Sequence, residues 1–138
     1  MPKRERSRLV VRTALISDIE VIQELTIRAY PKQTAYTLDE LRGQINNFPE
    51  GQLVVEFEGQ IVGYCATICL PEERVMAPHT WAEITGNGFG STHDADEDYL
   101  YGYEICVDPK FRGLRIGQRL YRERQGLCIK LGLKGIVF

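Results

Sequence analysis

The chain has 138 residues, 43% hydrophobic and 26% charged, with a formal net charge of −2. That is one domain's length with enough apolar material for a core, which excludes a disordered chain, and the balance of charge gives no global pull toward nucleic acid. The basic cluster from Lys3 to Arg8 is predicted as a flexible tail over residues 1–8; no apolar run after it suits a signal peptide or membrane anchor, so the cytoplasm is the expected compartment.

Leu9 to Thr13 reads as a short strand. Ser17-Asp18-Ile19-Glu20 has the form of a capping box, with Ile16 and Val21 as its staple, and predicts a helix running toward Tyr30 and stopped by Pro31. Ile19, Ile22, Leu25 and Ala29 share one face of it. Thr37-Leu38-Asp39-Glu40 repeats the device, with Tyr36 and Leu41 as staple. Leu41, Ile45 and Phe48 give this second helix its apolar stripe, and Pro49 and Gly51 end it. The surroundings of the two boxes do not match, so they are no internal repeat.

Leu53–Phe57 and Gln60–Leu70 are predicted strands joined at Glu58-Gly59 in a hairpin. The stretch from Pro71 to Asp98 is predicted as a long mixed segment with a short helix around Thr80–Ile84. Loops of that length are commonly functional or mobile. Tyr99 to Val107 is predicted as the central strand, Ile116 to Leu131 as a helix, and Gly135 onward as another strand. The helix carries Ile116, Leu120, Leu127, Cys128 and Leu131 on one face, and Gly132 suits its C-terminal cap. The last strand lacks partners in this sequence, so part of the sheet edge is expected to be exposed.

Cys65, Cys69, Cys106 and Cys128 lie in apolar periodic segments and read as buried free thiols. Cys65 and Cys69 would stand roughly 13 Å apart along a strand, too far to share a zinc ion. With His79 and His93 the only histidines, no metal site is expected. Asp94-x-Asp96-x-Asp98 opens like a calcium loop, but Tyr99 and Ile105 stand where its glycine and closing glutamate belong.

The most informative run is Val107 to Leu120. Asp108-Pro109 breaks the strand, and Arg112 to Gly117 forms a basic turn at a helix start. Unpaired N–H groups, the helix dipole, two glycines and two arginines make a site for a phosphate or pyrophosphate. A P-loop is absent and the Rossmann glycine pattern is incomplete. A solvated strand-turn-helix corner is the bland alternative.

Arg112-x-x-Arg115-x-Gly117, opening a helix after a central strand, resembles motif A of the GNAT superfamily of acyl-CoA-dependent N-acyltransferases. The family pattern has glycine where Arg115 stands, a substitution expected to be tolerated on right-handed helical backbone. The order strand, two helices, hairpin, strand, helix, strand is similar to the N-terminal two-thirds of a GNAT domain from Leu9 onward. It implies an α/β (α+β) fold with a mixed, mostly antiparallel sheet flanked by helices and with its C-terminal part missing. The runs around His79-Thr80-Trp81 and Leu133–Val137 resemble GNAT domains fused ahead of a carbon-nitrogen hydrolase domain, which would then be a C-terminal partner.

The resemblance implies acetyl-CoA as co-substrate and no metal. Backbone groups of Ile105, Cys106 and Val107 would hold the pantetheine arm, and Arg112, Gly113, Leu114, Arg115, Ile116 and Gly117 the pyrophosphate. The expected reaction is direct attack of a small-molecule or peptide amine on the thioester. No nucleic acid or membrane is an expected partner, while a homo-oligomer is. The general acid is expected on a helix beyond Phe138.

Glu104 is the candidate general base. Strict period two would place it with Leu100, Gly102 and Cys106, opposite Tyr99, Tyr101, Tyr103, Ile105 and Val107. Apolar neighbours there would raise its pKa. A buried glutamate satisfied by an arginine or a helix end is the competing reading. His93 beside Asp94 as a proton relay, Cys106 as a nucleophile, and Asp94 to Asp98 as an attractor for a cationic amine are weaker candidates. Three functions follow: an N-acyltransferase, a silent acyl-CoA-binding sensor attached to a partner domain, and a structural interaction domain.

Overall fold

A computed structural model describes residues 8–30 and 35–138. The predicted tail, except Arg8, and the expected helix stop at Pro31 lie outside them. The elements are β1 (Leu9–Thr13), α1 (Ile19–Ala29), α2 (Leu38–Asn47), β2 (Leu53–Phe57), β3 (Gln60–Leu70), α3 (Glu72–Met76), α4 (Trp81–Thr85), β4 (Tyr99–Val107), α5 (Ile116–Lys130) and β5 (Gly135–Val137). One sheet takes them in the order β1-β2-β3-β4-β5. Its first four strands are antiparallel neighbours, and β5 lies parallel to β4. This is the mixed α/β fold that the sequence implied.

Each face of the sheet has its own core. Ile19, Ile22 and Leu25 of α1 and Leu41 and Ile45 of α2 pack against Tyr64, Ala66 and Ile68 of β3. Ile22 and Leu25 are fully buried, each worth about 1.5–3 kcal/mol relative to exposure. On the opposite face Ile116 and Leu120 of α5 pack on Val55, Val62 and Cys65. Gly63 permits that contact, since a Cβ there would lie 2.8 Å from Ile116 Cγ2. All four cysteines are buried and free.

The second capping box forms as read. Glu40 N–H donates to Thr37 Oγ1 at 3.1 Å, and Thr37 N–H to Glu40 Oε1 at 2.9 Å. The first does not. A turn of 3-10 helix over Ile16–Asp18 precedes α1, and the Asp18 carboxylate takes the Leu15 N–H at 2.8 Å. Arg12 explains the difference, because its fork grips the same carboxylate at 2.8 and 3.0 Å and holds it below its ordinary pKa. Ile16 and Val21, the expected staple, are exposed.

The hairpin turns at Glu58 and Gly59, both left-handed, as a two-residue primed turn requires. The short helix around Thr80 is present as α4, capped by Thr80 Oγ1, while α3 was not foreseen. The long segment is fastened to α2: Gln44 Nε2 donates to Gly88 C=O at 2.7 Å and Asn47 Nδ2 to Phe89 C=O at 3.0 Å.

β4 departs from strict alternation. Ala66 faces Glu104 but Thr67 faces Gly102, so Tyr103 is an extra residue. The bulge shifts every later side chain to the other face. Glu104 and Cys106 therefore join Tyr101 and Tyr103 toward α1 and α2, while Ile105 and Val107 join the α5 side. The faces expected from period two are corrected accordingly.

His93 is no relay. It stacks on Phe48 with centroids 4.1 Å apart, and its Nδ1 accepts the Cys69 N–H at 2.8 Å. Burial lowers its pKa from 6.5, against the opposing charges of Glu50 and Asp94. Because the folded value is the lower one, its contribution to stability is complete above about pH 6.5 and is lost as pH falls toward the folded value. Thermal melts should therefore show stability declining below pH 6.5, and the decline should be shallower in His93→Gln, which keeps an acceptor without a titrating ring.

Candidate active site

The strand end and the basic turn share one buried anchor. Asp108 is 1% exposed. Its N–H donates to Val62 C=O at 2.9 Å, and its Oδ1 accepts the Lys110 N–H at 3.0 Å. Arg28 of α1 grips Oδ2 through Nε at 3.1 Å and Nη2 at 3.0 Å. The chain then makes a 3-10 turn over Pro109–Leu114 and enters α5 through Arg115.

Arg115 is left-handed, with φ 56° and ψ 38°. The right-handed backbone expected there is corrected, and the turn geometry that favours glycine is kept with an arginine in it. Arg119 N–H is the donor to Arg115 C=O, at 3.1 Å. The N–H groups of Ile116, Gly117 and Gln118 precede that first helical bond. The space above Gly113 and Gly117 is open, since a Cβ on either would meet nothing within 4 Å. Arg112, Gly113 and Arg115 are exposed. Ile116 is buried in the core on the α5 face, and Leu114 packs against that core partly buried. Beside it opens a cavity of about 480 Å³ whose lining includes Arg115, Gln118, Arg119 and Arg122.

Among the described residues, β5 pairs with β4 only at Tyr99–Tyr101. Antiparallel alternation turns the backbone groups of Ile105 and Val107 away from β3, because Asp108 and Cys106 use theirs toward it. This side of the strand leads from Glu104 to the basic turn. Tyr30 Oη reaches into it, 2.9 Å from the Ile105 carbonyl oxygen, with its single proton directed to Glu104 Oε2. Cys106 is buried, and its thiol is pushed up to about 12 by burial and then by the charge of Glu104. It stays protonated at neutral pH and is no nucleophile there.

The Glu104 carboxylate is held by neither an arginine nor a helix end. Its Oε1 accepts the Tyr36 hydroxyl at 2.7 Å, and its Oε2 accepts that of Tyr30. The apolar setting expected for this carboxylate is corrected: two phenols face it. Both phenols have raised pKa values, through burial first and Glu104 second, so they remain donors across the neutral range. Trp81, 42% exposed, continues the wall with its ring 6.2 Å from that of Tyr36, and its Nε1 donates to Tyr103 C=O at 3.3 Å. Sequence reasoning missed Arg28, Tyr30 and Tyr36 as site residues. Tyr36 was read as a staple, and nothing local marks a tyrosine at a helix end as a carboxylate partner. No cluster of three metal-ligating side chains occurs among the described residues.

The acetyltransferase (GNAT) family model matches residues 19–138. A Bacillus subtilis (strain 168) protein described as a probable hydrolase, YhcX, is 35% identical over 134 residues, covering 97% of this chain and 26% of its own. An uncharacterized N-acetyltransferase of the same organism, YkwB, is 29% identical over 133 residues, covering 94% of this chain and 59% of its own. The chain therefore spans a quarter to three-fifths of these relatives. Among solved structures, the GphF GNAT-like decarboxylase in complex with isobutyryl-CoA superposes with a TM-score of 0.72 at 26% identity, over 82% of this chain and 55% of that one. A Brucella melitensis GNAT family acetyltransferase in complex with acetyl-CoA shares the fold, with a TM-score of 0.55 at 18% identity over 93% of this chain and 73% of its own.

The left-handed arginine generates a stability test. Replacing Arg115 with glycine relieves about 1–2 kcal/mol of backbone strain and returns up to about 1 kcal/mol through the freer unfolded chain. Urea unfolding should find Arg115→Gly equal to the parent or more stable by up to about 1 kcal/mol. Arg115→Ala, which keeps the strain, should show no such gain.

Proposed function

The chain belongs to the acetyltransferase (GNAT) family, and on that premise we propose an acyl-CoA-dependent N-acyltransferase acting on a primary amine. The observation that carries this reading is one continuous track. The backbone groups of Ile105 and Val107, turned away from β3, join a carboxylate at Glu104 to unpaired helix-start N–H groups at Ile116, Gly117 and Gln118. The open space over Gly117 fits a pyrophosphate, which the three N–H groups, the helix dipole and Arg112 would hold.

The edge backbone of Ile105 and Val107 would hydrogen-bond the amides of a pantetheine arm and so lead the thioester to Glu104. Both carboxylate oxygens carry one phenol hydrogen bond and keep a lone pair for the incoming ammonium. Glu104 takes the ammonium proton; the neutral amine attacks the carbonyl carbon, the C–N bond forms as the C–S bond breaks, and the sulfur takes up a proton. Tyr30 and Tyr36, protonated throughout, orient the base. Trp81 and Tyr36 give the acceptor an apolar wall.

A second reading is an acyl-CoA-binding module serving an attached domain. It is favoured by the match of nearly the whole chain to 26% of a protein described as a hydrolase. A structural domain without a ligand is the third, and saturable binding of coenzyme A would remove it.

Calorimetric titration with coenzyme A should show saturable binding by the full-length protein. Gly117→Val should abolish or greatly weaken it while the fold is kept, since the added side chain enters open space. Arg112→Ala removes charge but no N–H group, so it should cost about 1–2 kcal/mol of binding, and less at high salt. Tight binding by Gly117→Val would remove the pyrophosphate assignment.

Glu104→Gln should lower acetyl-CoA turnover over an amine panel by roughly a hundredfold at neutral pH, with coenzyme A affinity unchanged. Full activity in that variant would remove the base assignment. Binding without turnover in the parent would favour the module reading.

A further inference from the structure

The α5 face that packs on the sheet runs Ile116, Leu120, Arg124 and Cys128 at four-residue spacing, and the third member is an arginine only 2% exposed. Among the described residues it has no ion-pair partner, and its Nε is buried without a hydrogen bond. A buried cation left without a carboxylate is costly, so apolar packing alone does not account for its place. Room is made for it in β4: a Cβ on Gly102 would lie 2.7 Å from Arg124 Cζ. Tyr121 and Phe138 flank the guanidinium with ring centroids 5.9 and 5.5 Å away.

Its donors go to the bulge. Nη2 donates to Glu104 C=O at 2.5 Å and reaches Ala66 C=O at 3.5 Å. Ala66 and Glu104 are the paired residues at the register shift that makes Tyr103 extra. The same guanidinium therefore spans β3 and β4 where the strand changes which face its side chains take. Glu104 reaches Tyr30 and Tyr36 only because of that change. We propose that Arg124 is a positioning residue, whose grip on the bulge carbonyls aims the Glu104 carboxylate at the two phenols and the acceptor. This rests on the reading of Glu104 as base, but the geometric part can be read without substrate.

The probe is the full-length protein labelled with 3-fluorotyrosine, with the Tyr30 and Tyr36 resonances assigned by Tyr→Phe variants. In Arg124→Met, of similar length but without donors, both resonances should move to the positions that Glu104→Gln gives them, while that of Tyr64 holds. Arg124→Lys, which keeps the charge but not the fork, should move them less. Resonances at their parent positions in folded Arg124→Met would overturn the proposal. So would unfolding of both variants, read as loss of the Tyr64 resonance, since Arg124 would then serve the fold alone. In acetyl-CoA turnover, Arg124→Met should lower kcat about tenfold or more with KM for acetyl-CoA within twofold. Equal losses in both constants would overturn it. A parent that turns over no amine counts against the acyltransferase reading and leaves the fluorine comparison to decide the geometry.

Discussion

Everything at the centre of this molecule depends on the pairing of β3 with β4 and on the point where that pairing slips by one residue. Before the slip, β4 sends Leu100 and Gly102 toward α5 and Tyr101 toward α1 and α2. After it, Glu104 and Cys106 take the second direction and Ile105 the first. A carboxylate that regular alternation would bury under α5 is thereby delivered to a wall of tyrosines. One local irregularity thus decides which way the candidate base points.

The outlines of the fold were legible in the sequence because they rest on local rules. Thr37 and Glu40 form the capping box that their spacing announces, and Glu58-Gly59 makes the turn that two left-handed positions demand. The first box was misread because a distant partner won. Arg12 on β1 claims Asp18, and the carboxylate then serves Leu15 rather than the helix start. No window of sequence around residues 17–20 contains Arg12's position in space.

The site was legible in its backbone part and obscure in its side-chain part. A helix start flanked by glycines and arginines is a contiguous feature, and it lies where the sequence placed it. The surroundings of Glu104 are not contiguous. Tyr30 and Tyr36 reach it from 74 and 68 residues away, and Arg124 from the far side of the sheet. The bulge that brings them together has no signature in an alternating run of Tyr, Leu, Gly and Ile. Arg124 itself was overlooked because it stands on a stripe otherwise apolar, where an arginine interrupts the pattern used to draw the face. That interruption was the available signal.

Beyond Tyr101 the backbone of β4 is guarded by side chains. An unpaired strand edge is a template on which another chain can add a strand and begin aggregation. Here the carbonyls of Tyr103 and Ile105 are met from elsewhere in the fold, by the Trp81 indole N–H and the Tyr30 hydroxyl. An intruding strand would have to displace an indole and a phenol before it could complete a ladder. A stretch of strand guarded in this way resists another polypeptide with neither a proline nor an inward-pointing lysine among the residues of β4.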